Sequence, residues 1–394
     1  TPSSKREPMS ERVDMAVREA SGTGDLSGGF RVLFDAAPPA GEAMLVAPGI
    51  WWIRLPLQSH LDHVNVYALE DEGGWTLVDT GSATEGCKAA LQALFTTGQL
   101  SDRPIKRFIA THYHPDHVGL AGWLSSCGAE FLTTRLCYLY ARMLQLDNPS
   151  LPYPEQVRFA ERAGLKGLTL AAYRRRPPSS YPTLVMPIPF SYTRISDGDK
   201  IVIGERAWSV RIGHGHAAGH ATLWSNDGIA LLGDQVLPGI SSNLSVHPSE
   251  PDADLVSEWI ASCEDLIAMG DDNVLCLPGH NIPFVGVVSR CRQLLATQEA
   301  VLQRLLEHLE RPSAAIDCLY AVYRRELEPH ELSTLLAETV GFLNHLRKKN
   351  LIGRELLSNN TYVWRRVRTS VDPSVGPERR IDPAHPSMSM DQMR

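Results

Sequence analysis

The sequence lacks a C-x-x-C pair, a long apolar run and an excess of basic residues. Its 7 cysteines are scattered along 394 residues, which argues against a disulfide framework and predicts a cytoplasmic location. No apolar run approaches the roughly 18–20 residues of a membrane span, so we expect no membrane partner, and the polar N-terminus lacks the apolar centre of a secretory signal. The net charge of −7 does not favour nucleic acid as a partner, although a local basic patch leaves it open.

The order of the predicted elements indicates an α/β protein built in layers. Strand-like apolar segments alternate with helical segments over residues 43–286, which we assign to one domain. Residues 135–193 interrupt this alternation with helical pieces joined by proline-rich stretches, so we interpret them as an inserted lid. We predict an N-terminal arm over residues 1–42 and a disordered polar tail over residues 370–394.

The C-terminal part of the chain has a different pattern. Residues 287–369 contain three helical segments, the second of them SAAIDCLYAVYRREL, followed by a hairpin that turns on Asn359–Asn360. Three helices and a hairpin predict a small winged-helix-like domain. Its helices could form a homodimer, which leaves the oligomeric state open.

The stretch THYHPDHVG places His112, His114, Asp116 and His117 within six residues, and we predict that KRFIATHYH is a strand that runs through His114 into the following loop. Side chains alternate along an extended strand, so His112 and His114 can face one side while a following turn directs Asp116 and His117 elsewhere. Imidazole and carboxylate groups suit zinc, although iron and manganese accept the same ligands. A surface loop that is rich in histidine by chance is the simpler alternative.

Three more candidate ligands lie downstream, each where an apolar strand meets a loop. His216 lies in GHGHAAGHATLW, Asp234 in ALLGDQVL and His280 in VLCLPGHN. The ends of several strands are where an α/β scaffold assembles a site. These positions therefore favour one metal centre over a chance cluster.

In this order, H-x-H-x-D-H, G-H-x-x-G-H, G-D and P-G-H resemble the metallo-beta-lactamase fold superfamily over roughly residues 43–285. The resemblance implies a four-layer αββα sandwich, here with the lid insertion and the winged-helix-like domain added. It also implies two metal ions, which we expect to be Zn²⁺. The first would be held by His112, His114 and His216, the second by Asp116, His117 and His280, with Asp234 between the two.

The resemblance implies further roles for residues around the ligands. Asp79, in LVDTG, would support the ligands, and His220 would form hydrogen bonds outside the ligand set. Asp116 is also the candidate catalytic residue that handles a proton. Ser241 and Asn243 are candidate substrate contacts, and a loop closed by its own hydrogen bonds is an equal alternative. We interpret His60, His63 and His214 as rim, structural or supporting residues.

The resemblance implies a dinuclear metal-dependent hydrolase that uses a metal-bridging hydroxide. We favour a thioester or activated ester on a small molecule or an acyl carrier, because G-H-x-x-G-H resembles the glyoxalase II and thioesterase branches. Tyrosines of the lid could roof an acyl pocket, and Arg174, Arg175 and Arg176 could meet a carrier's phosphates; ordinary packing and a solvated face are the simpler interpretations.

Three alternatives remain at this point. A lactonase or beta-lactam-type amide hydrolase would use the same residues. A single-strand endoribonuclease would use the winged-helix-like domain and its basic residues as an RNA platform. A metal-binding structural protein is the alternative without catalysis, although a structural zinc site closes with four ligands. The basic residues in question are Arg347, Lys348, Lys349, Arg354, Arg365, Arg366 and Arg368.

Overall fold

The computed structural model describes residues 25–26, 29–58, 61–176 and 181–367. His60, the tail over residues 370–394 and most of the predicted N-terminal arm lie outside these residues. Within them, the helices are too short or too polar to cross a lipid bilayer. The strands are, in chain order, β1 (Asp25–Leu26), β2 (Phe30–Val32), β3 (Ala43–Ala47), β4 (Ile50–Pro56), β5 (His63–Asp71), β6 (Gly74–Val78), β7 (Ile105–Ile109), β8 (Glu130–Thr133), β9 (Thr193–Arg194), β10 (Lys200–Ile203), β11 (Arg206–Gly213), β12 (His220–Ser225), β13 (Ile229–Gly233), β14 (Leu275–Pro278), β15 (Phe284–Val285), β16 (Ile352–Leu356) and β17 (Tyr362–Arg366).

Helices alternate with these strands and dominate after β15. A 3₁₀ turn over Ala315–Cys318 precedes the short helix α10. The α-helices are α1 (Glu85–Thr96), α2 (Pro115–Val118), α3 (Ala121–Ser126), α4 (Arg135–Leu146), α5 (Pro154–Arg162), α6 (Gly167–Tyr173), α7 (Tyr181–Leu184), α8 (Leu255–Met269), α9 (Val287–His308), α10 (Leu319–Tyr323) and α11 (Leu332–Lys348).

Two mixed sheets stack face to face. The first has the order β3-β4-β5-β6-β7-β8-β9, and the second has the order β1-β2-β15-β14-β13-β12-β11-β10. The core between them joins Trp52 and Ile109 of the first sheet to Trp208 and Leu231 of the second. Strands β6 and β13 are buried at every position, because both faces of each central strand are covered.

Helices cover the outer face of each sheet and complete four layers. Leu91 of α1 and Leu124 of α3 pack with Phe108 on the first sheet. On the second sheet, Trp259 of α8 and Leu343 of α11 belong to one apolar cluster with buried strand residues. The predicted α/β fold, a four-layer αββα sandwich, is therefore confirmed.

Parallel strand pairs bring their C-terminal ends to one edge of the sandwich. Strands β6 and β7 are parallel in the first sheet, and β13 and β14 are parallel in the second. The loops that leave these four strands carry Asp79, His112, Asp234 and His280. The sheet topology thus gathers residues that are up to about 200 positions apart in the sequence at one place.

Three local predictions were wrong. The strand segment that we extended through His114 ends at Ile109, and the histidines lie on the loop that follows. The helix predicted over SAAIDCLYAVYRREL is a 3₁₀ turn and a five-residue helix, which ends where Arg324 adopts φ +54°. Within the predicted arm, Phe30–Val32 forms strand β2, because Phe30 is apolar enough to enter the core and pairs its strand with β15.

The lid insertion and the C-terminal region both pack against the sandwich. Helices α4 to α7 occupy residues 135–184, between β8 and β9. The predicted hairpin is formed by β16 and β17, with Asn360 at φ +64° in its turn. The winged-helix-like arrangement of residues 287–369 stays a prediction.

Candidate metal centre

One group of candidate ligands consists of His112, His114 and His216. His112 Nε2 lies 3.0 Å from His114 Nδ1 and 3.3 Å from His216 Nε2. His114 and His216 approach each other edge to face, with ring centroids 4.6 Å apart. The three nitrogens therefore converge on one point, which a single ion can occupy.

A second group lies directly beside the first. Asp116 Oδ2 lies 3.6 Å from His117 Nε2 and 3.3 Å from His280 Nε2. Asp234 Oδ2 lies 3.4 Å from His117 Nε2, 3.3 Å from His280 Nε2 and 3.6 Å from His216 Nε2. Asp234 thus contacts members of both groups, which is the position of a bridging carboxylate.

These spacings fit metal coordination better than hydrogen bonding. Ligand bonds of about 2.0–2.1 Å in a tetrahedral site place neighbouring ligand atoms about 3.3–3.4 Å apart. His117 Nε2, His280 Nε2 and Asp234 Oδ1 are buried and have no hydrogen-bond partner among the described residues. Buried polar atoms are normally satisfied, so these atoms are suited to hold a cation.

Asp79 supports the second group from behind. Its carboxylate accepts hydrogen bonds from His117 Nδ1 at 2.8 Å, from the Thr111 backbone N–H at 2.8 Å and from the Thr111 hydroxyl at 3.0 Å. These bonds fix the imidazole with Nε2 directed at the site. Asp79 has φ +65°, a conformation that is uncommon outside glycine and that these bonds hold in place.

Two backbone carbonyls orient the other imidazoles. His280 Nδ1 donates to the carbonyl of His63 at 2.7 Å, and His216 Nδ1 donates to the carbonyl of Asn243 at 2.9 Å. His63 Nε2 also accepts from the Asn281 backbone N–H. Our sequence analysis missed these contacts, because the sequence carries no signal for the direction of a main-chain oxygen.

His220 and His214 lie next to the ligands rather than among them. His220 stacks on His112 with an interplanar angle of 22°, and its Nε2 accepts from the Asp234 backbone N–H at 3.0 Å. His214 Nδ1 accepts from the Gly219 backbone N–H. The structure therefore places His220 where it supports Asp234, in the kind of contact that we expected from the sequence.

The imidazoles of the site fall into two classes, those with a lowered pKa and those with a raised pKa. Burial and His216 lower the pKa of His114 to about 3, and burial also lowers the pKa of His112 well below its usual range. Burial works to lower the pKa of His280 as well, but Asp234 and Asp116 outweigh it and raise that pKa to about 10. The pKa of His117 is raised well above its ordinary value, because Asp234 and Asp79 outweigh burial.

This division predicts that metal binding releases protons. The raised pKa values of His117 and His280 favour a proton on each imidazole of the metal-free protein at neutral pH, and a metal ion needs the lone pair of each Nε2. We expect about two protons to be released per chain at pH 7, and an affinity that rises with pH toward about 10. A zinc titration in weakly buffered solution with a pH indicator measures this release. An affinity independent of pH between about 6 and 9 would contradict the assignment.

A cavity of about 670 Å³ opens beside the first group. His114 and His216 form part of its floor, and Tyr113, Tyr140 and Phe159 supply aromatic walls. Residues from the lid helices and from α11 also line it, so the cavity lies between the sandwich, the lid and the C-terminal region. Arg176, one of the three lid arginines noted in the sequence, lines this cavity, while Arg174 pairs with Glu161.

The two candidate substrate contacts differ in position. Asn243 lines this cavity, and its side-chain oxygen accepts from the Ser245 backbone N–H at 3.1 Å. Ser241 is exposed and does not belong to the cavity lining. Between them, Ser242 is buried and donates to the carbonyl of Asp234 at 2.6 Å. Substrate contact by Ser241 and Asn243 stays a prediction.

Helix α11 holds the loop that orients His216. Glu338 accepts from the Leu244 backbone N–H at 3.0 Å, and the Val246 backbone N–H donates to Ala337 at 3.3 Å. Glu338 also accepts from the Tyr323 hydroxyl at 2.7 Å. A short path of hydrogen bonds therefore links the C-terminal region to a candidate metal ligand through the Asn243 carbonyl.

Replacing Glu338 by alanine should loosen this loop. The change leaves the Leu244 N–H without its acceptor, while the Tyr323 hydroxyl can still donate to the Leu335 carbonyl at 3.0 Å, so we expect a cost of about 1–3 kcal/mol of the free energy of unfolding. We also expect weaker binding of one metal ion than of the other, measured as metal retained against a competing chelator. Glu338→Gln keeps an acceptor oxygen for the Leu244 N–H, so this variant should keep the stability and the metal retention of the unmodified protein. Equal retention in the alanine variant would show that the loop does not position His216.

Comparisons with known proteins agree with this fold. A family model described as the metallo-beta-lactamase superfamily matches residues 61–128. The crystal structure of a beta-lactamase domain protein from Burkholderia ambifaria is 34% identical, with a TM-score of 0.77, and covers 84% of this chain and 96% of that one. A metallo-beta-lactamase family protein from Thermus thermophilus is 25% identical, with a TM-score of 0.68, and covers 82% of this chain and 100% of that one.

A curated relative adds a link to one reaction. The acyl-coenzyme A thioesterase MBLAC2 of Homo sapiens is 24% identical over 257 residues, which are 59% of this chain and 78% of that protein. The Bos taurus protein of the same name is 26% identical over 243 residues.

Proposed function

Because this chain belongs to the metallo-beta-lactamase superfamily, a superfamily of hydrolases, we propose that it hydrolyses a thioester or an activated ester at a pair of metal ions. The observation that carries the proposal is the cavity with aromatic walls that opens directly on His114 and His216. An acyl chain in this cavity would bring its carbonyl carbon next to the metal ligands.

The charges of the cavity wall favour an uncharged acyl group. Among the described residues of its lining, Arg176 is the one lysine or arginine, and it donates to the Ser333 hydroxyl at 2.8 Å. Asp147, Glu250 and Glu258 also line the wall, which makes it unfavourable for a carboxylate. A beta-lactam carries a carboxylate, whereas a simple thioester or lactone does not. The named activity of the MBLAC2 relatives supports the thioester over the lactone.

We assign the ligands as the two groups that the geometry brings together. His112, His114 and His216 would hold one ion, Asp116, His117 and His280 the other, and Asp234 would bridge them. Bound metal would lower the pKa of a water molecule and polarise the substrate carbonyl. Zinc suits this set of nitrogen and oxygen donors.

Asp116 is the carboxylate best placed to take a proton. Its side chain is 20% exposed, compared with 7% for Asp234, so it is the more accessible of the two. Burial works to raise its pKa, but His117 and His280 outweigh burial and lower it to about 2. It therefore stays ionised at neutral pH and is free to accept a proton, but a carboxylate with so low a pKa is a weak base, so Asp116 would relay the proton of the attacking water rather than activate that water by itself.

Thiol release from a panel of thioesters tests the proposal. Acyl-CoA, acyl-glutathione and acyl-pantetheine substrates are assayed with added zinc, after chelation, and after zinc is restored. We expect release that depends on metal with at least one thiol carrier. If no thioester is cleaved while a lactone panel is opened in a metal-dependent way, the chain is a lactonase instead.

A further inference from the structure

A second cavity, of about 360 Å³, adjoins the cavity at the metal ligands. Tyr153, Phe159 and His247 line both of them. The second cavity lies between helix α5 of the lid and the hairpin β16–β17 of the C-terminal region. A long ligand could therefore have one end at the metal ligands and the other end here.

The second cavity combines arginines with aromatic rings. Arg162 comes from α5, Arg354 from β16, and Tyr362 and Trp364 from β17. The guanidinium carbons of Arg162 and Arg354 lie 5.0 and 4.0 Å from the centroid of Tyr362. Arginine held over an aromatic face is fixed in orientation and still has N–H groups at its edge for an anion.

Of the three acidic residues that line this cavity, Asp252 and Glu155 lie against arginines, whereas Asp147 is bonded to a neutral hydroxyl and keeps its charge. Asp252 accepts from Arg347 at 3.0 Å and from Arg354 at 2.7 Å, so two positive charges share one carboxylate. The Asp147 carboxylate accepts from the Tyr153 hydroxyl at 3.0 Å.

The remaining acid of the lining, Glu155, lies 3.8 Å from Arg158. Arg162 lines the cavity, is only partly exposed and has no carboxylate within ion-pair distance among the described residues, although its charge also acts on Asp252. Three arginines, Arg162, Arg347 and Arg354, therefore share the single charge of Asp252, and the two that line the cavity, Arg162 and Arg354, can face a negatively charged group.

We propose that this second cavity binds the phosphorylated end of the thiol carrier, which is the phosphopantetheine group shared by CoA and by acyl-carrier proteins. The inference rests on the proposed thioester hydrolysis and names its substrate class. A phosphate is bound by guanidinium N–H groups in a bidentate manner. An acyl chain in the first cavity, a flexible thiol arm past Phe159 and a phosphate at Arg162 match the order of parts in such a substrate.

The location of the second cavity gives the lid and the C-terminal hairpin a common role. Arg162 belongs to the lid, whereas Arg354 and Tyr362 belong to the C-terminal hairpin, and neither segment carries a candidate metal ligand in the part of the chain that the structure describes. They meet at this cavity through the contact of Arg162 with Tyr362. Chemistry and carrier recognition are thus assigned to different parts of the chain.

The variant Arg162→Met tests this assignment, because methionine keeps an apolar stem of similar length without the charge. One acyl group is compared on CoA, on phosphopantetheine and on unphosphorylated pantetheine. For the unmodified protein we expect KM for the phosphorylated substrates to be about tenfold lower than for pantetheine. In the Arg162→Met variant, the ratio of KM for the pantetheine substrate to KM for the phosphorylated substrates should fall toward one. Arg292→Met, an exposed arginine of α9 outside both cavities, is the matched control.

Binding measured without turnover separates this inference from the proposed function. CoA and free phosphopantetheine are titrated calorimetrically into the metal-free protein and into its Arg162→Met form. Binding that the variant loses supports the cavity assignment even if no thioester is cleaved. Cleavage of acyl-pantetheine as efficient as that of acyl-CoA, with no binding of either carrier, overturns the assignment and leaves the hydrolase proposal intact. A preference for CoA over phosphopantetheine would identify the nucleotide carrier as the source of the phosphate.

Discussion

Replacing Asp234 by alanine is expected to reduce kcat/KM by at least about 1000-fold and to remove most of the bound metal. Asp234 Oδ2 contacts the ligand nitrogens of His117, His280 and His216, so it is the carboxylate that both groups share. Metal-assisted hydrolysis depends on several kcal/mol of charge stabilisation, and each 1.4 kcal/mol is a tenfold change in rate. Metal content per chain and turnover of the best thioester measure the two effects.

The fold should survive this change, which distinguishes a site effect from unfolding. Asp234 is only one of the residues at the sheet edge, and the apolar layers on either side do not involve its side chain. Asp265→Ala, an exposed aspartate on α8, is the matched control and should keep metal and activity. An Asp234→Ala protein with normal metal content and turnover would remove Asp234 from the centre.

The seven candidate ligands could be found from the sequence because of where they lie in it. Four of them lie within His112–His117, and the other three closely follow apolar strands, so the strand ends bring the seven side chains together. The layered fold was predicted from the alternation of strand-like apolar segments with helical segments, and the central strands β6 and β13 are indeed buried at every position.

The supporting contacts were not accessible in the same way. The carbonyls of His63 and Asn243 orient two imidazoles, but any residue type at those positions has a carbonyl. Glu338 lies more than 90 residues from Leu244, and its role appears only once α11 packs on the loop. The end of the strand at Ile109 also could not be read from KRFIATHYH. Beyond Ile109 the chain forms a loop, in which the side chains of His112 and His114 converge instead of alternating as they would along a strand.

The basic residues of the C-terminal region show why a sequence pattern alone does not give a function. The basic residues at the end of the chain suggested a platform for RNA, yet the structure pairs Arg347 and Arg354 with Asp252 and Arg366 with Glu310. Partnered in this way, they present less free charge than their number implies. Arg354 differs from the others because it lines the cavity that adjoins the one at the candidate metal ligands.

Gly279→Ala is expected to have the second largest effect, although it adds a single methyl group. A Cβ at this position would lie 2.1 Å from Asp234 Oδ1 and 2.7 Å from His117 Cε1. Asp79 holds His117 and the Gly279 backbone is bonded to Gly233 at 2.7 Å, so the Asp234 carboxylate, whose Oδ1 has no hydrogen-bond partner among the described residues, is the group that must move. Overpacking of this kind costs about 1–3 kcal/mol of the free energy of unfolding.

The same methyl group would act on chemistry more than on stability. It would push the bridging carboxylate away from the imidazoles on either side, so we expect loss of at least one metal ion and about a 100-fold lower kcat/KM. Gly353→Ala is the matched control, since a Cβ there meets nothing within 4 Å.

Denaturant unfolding with and without a chelator measures how much bound metal stabilises each protein. Chelation should destabilise the unmodified protein and the Gly353→Ala control, but hardly change Gly279→Ala. If Gly279→Ala keeps two metal ions and full turnover, the close approach of this backbone to Asp234 is not what fixes the carboxylate, and the geometry of the bridge must be maintained by the hydrogen bonds around His220 and Ser242 instead.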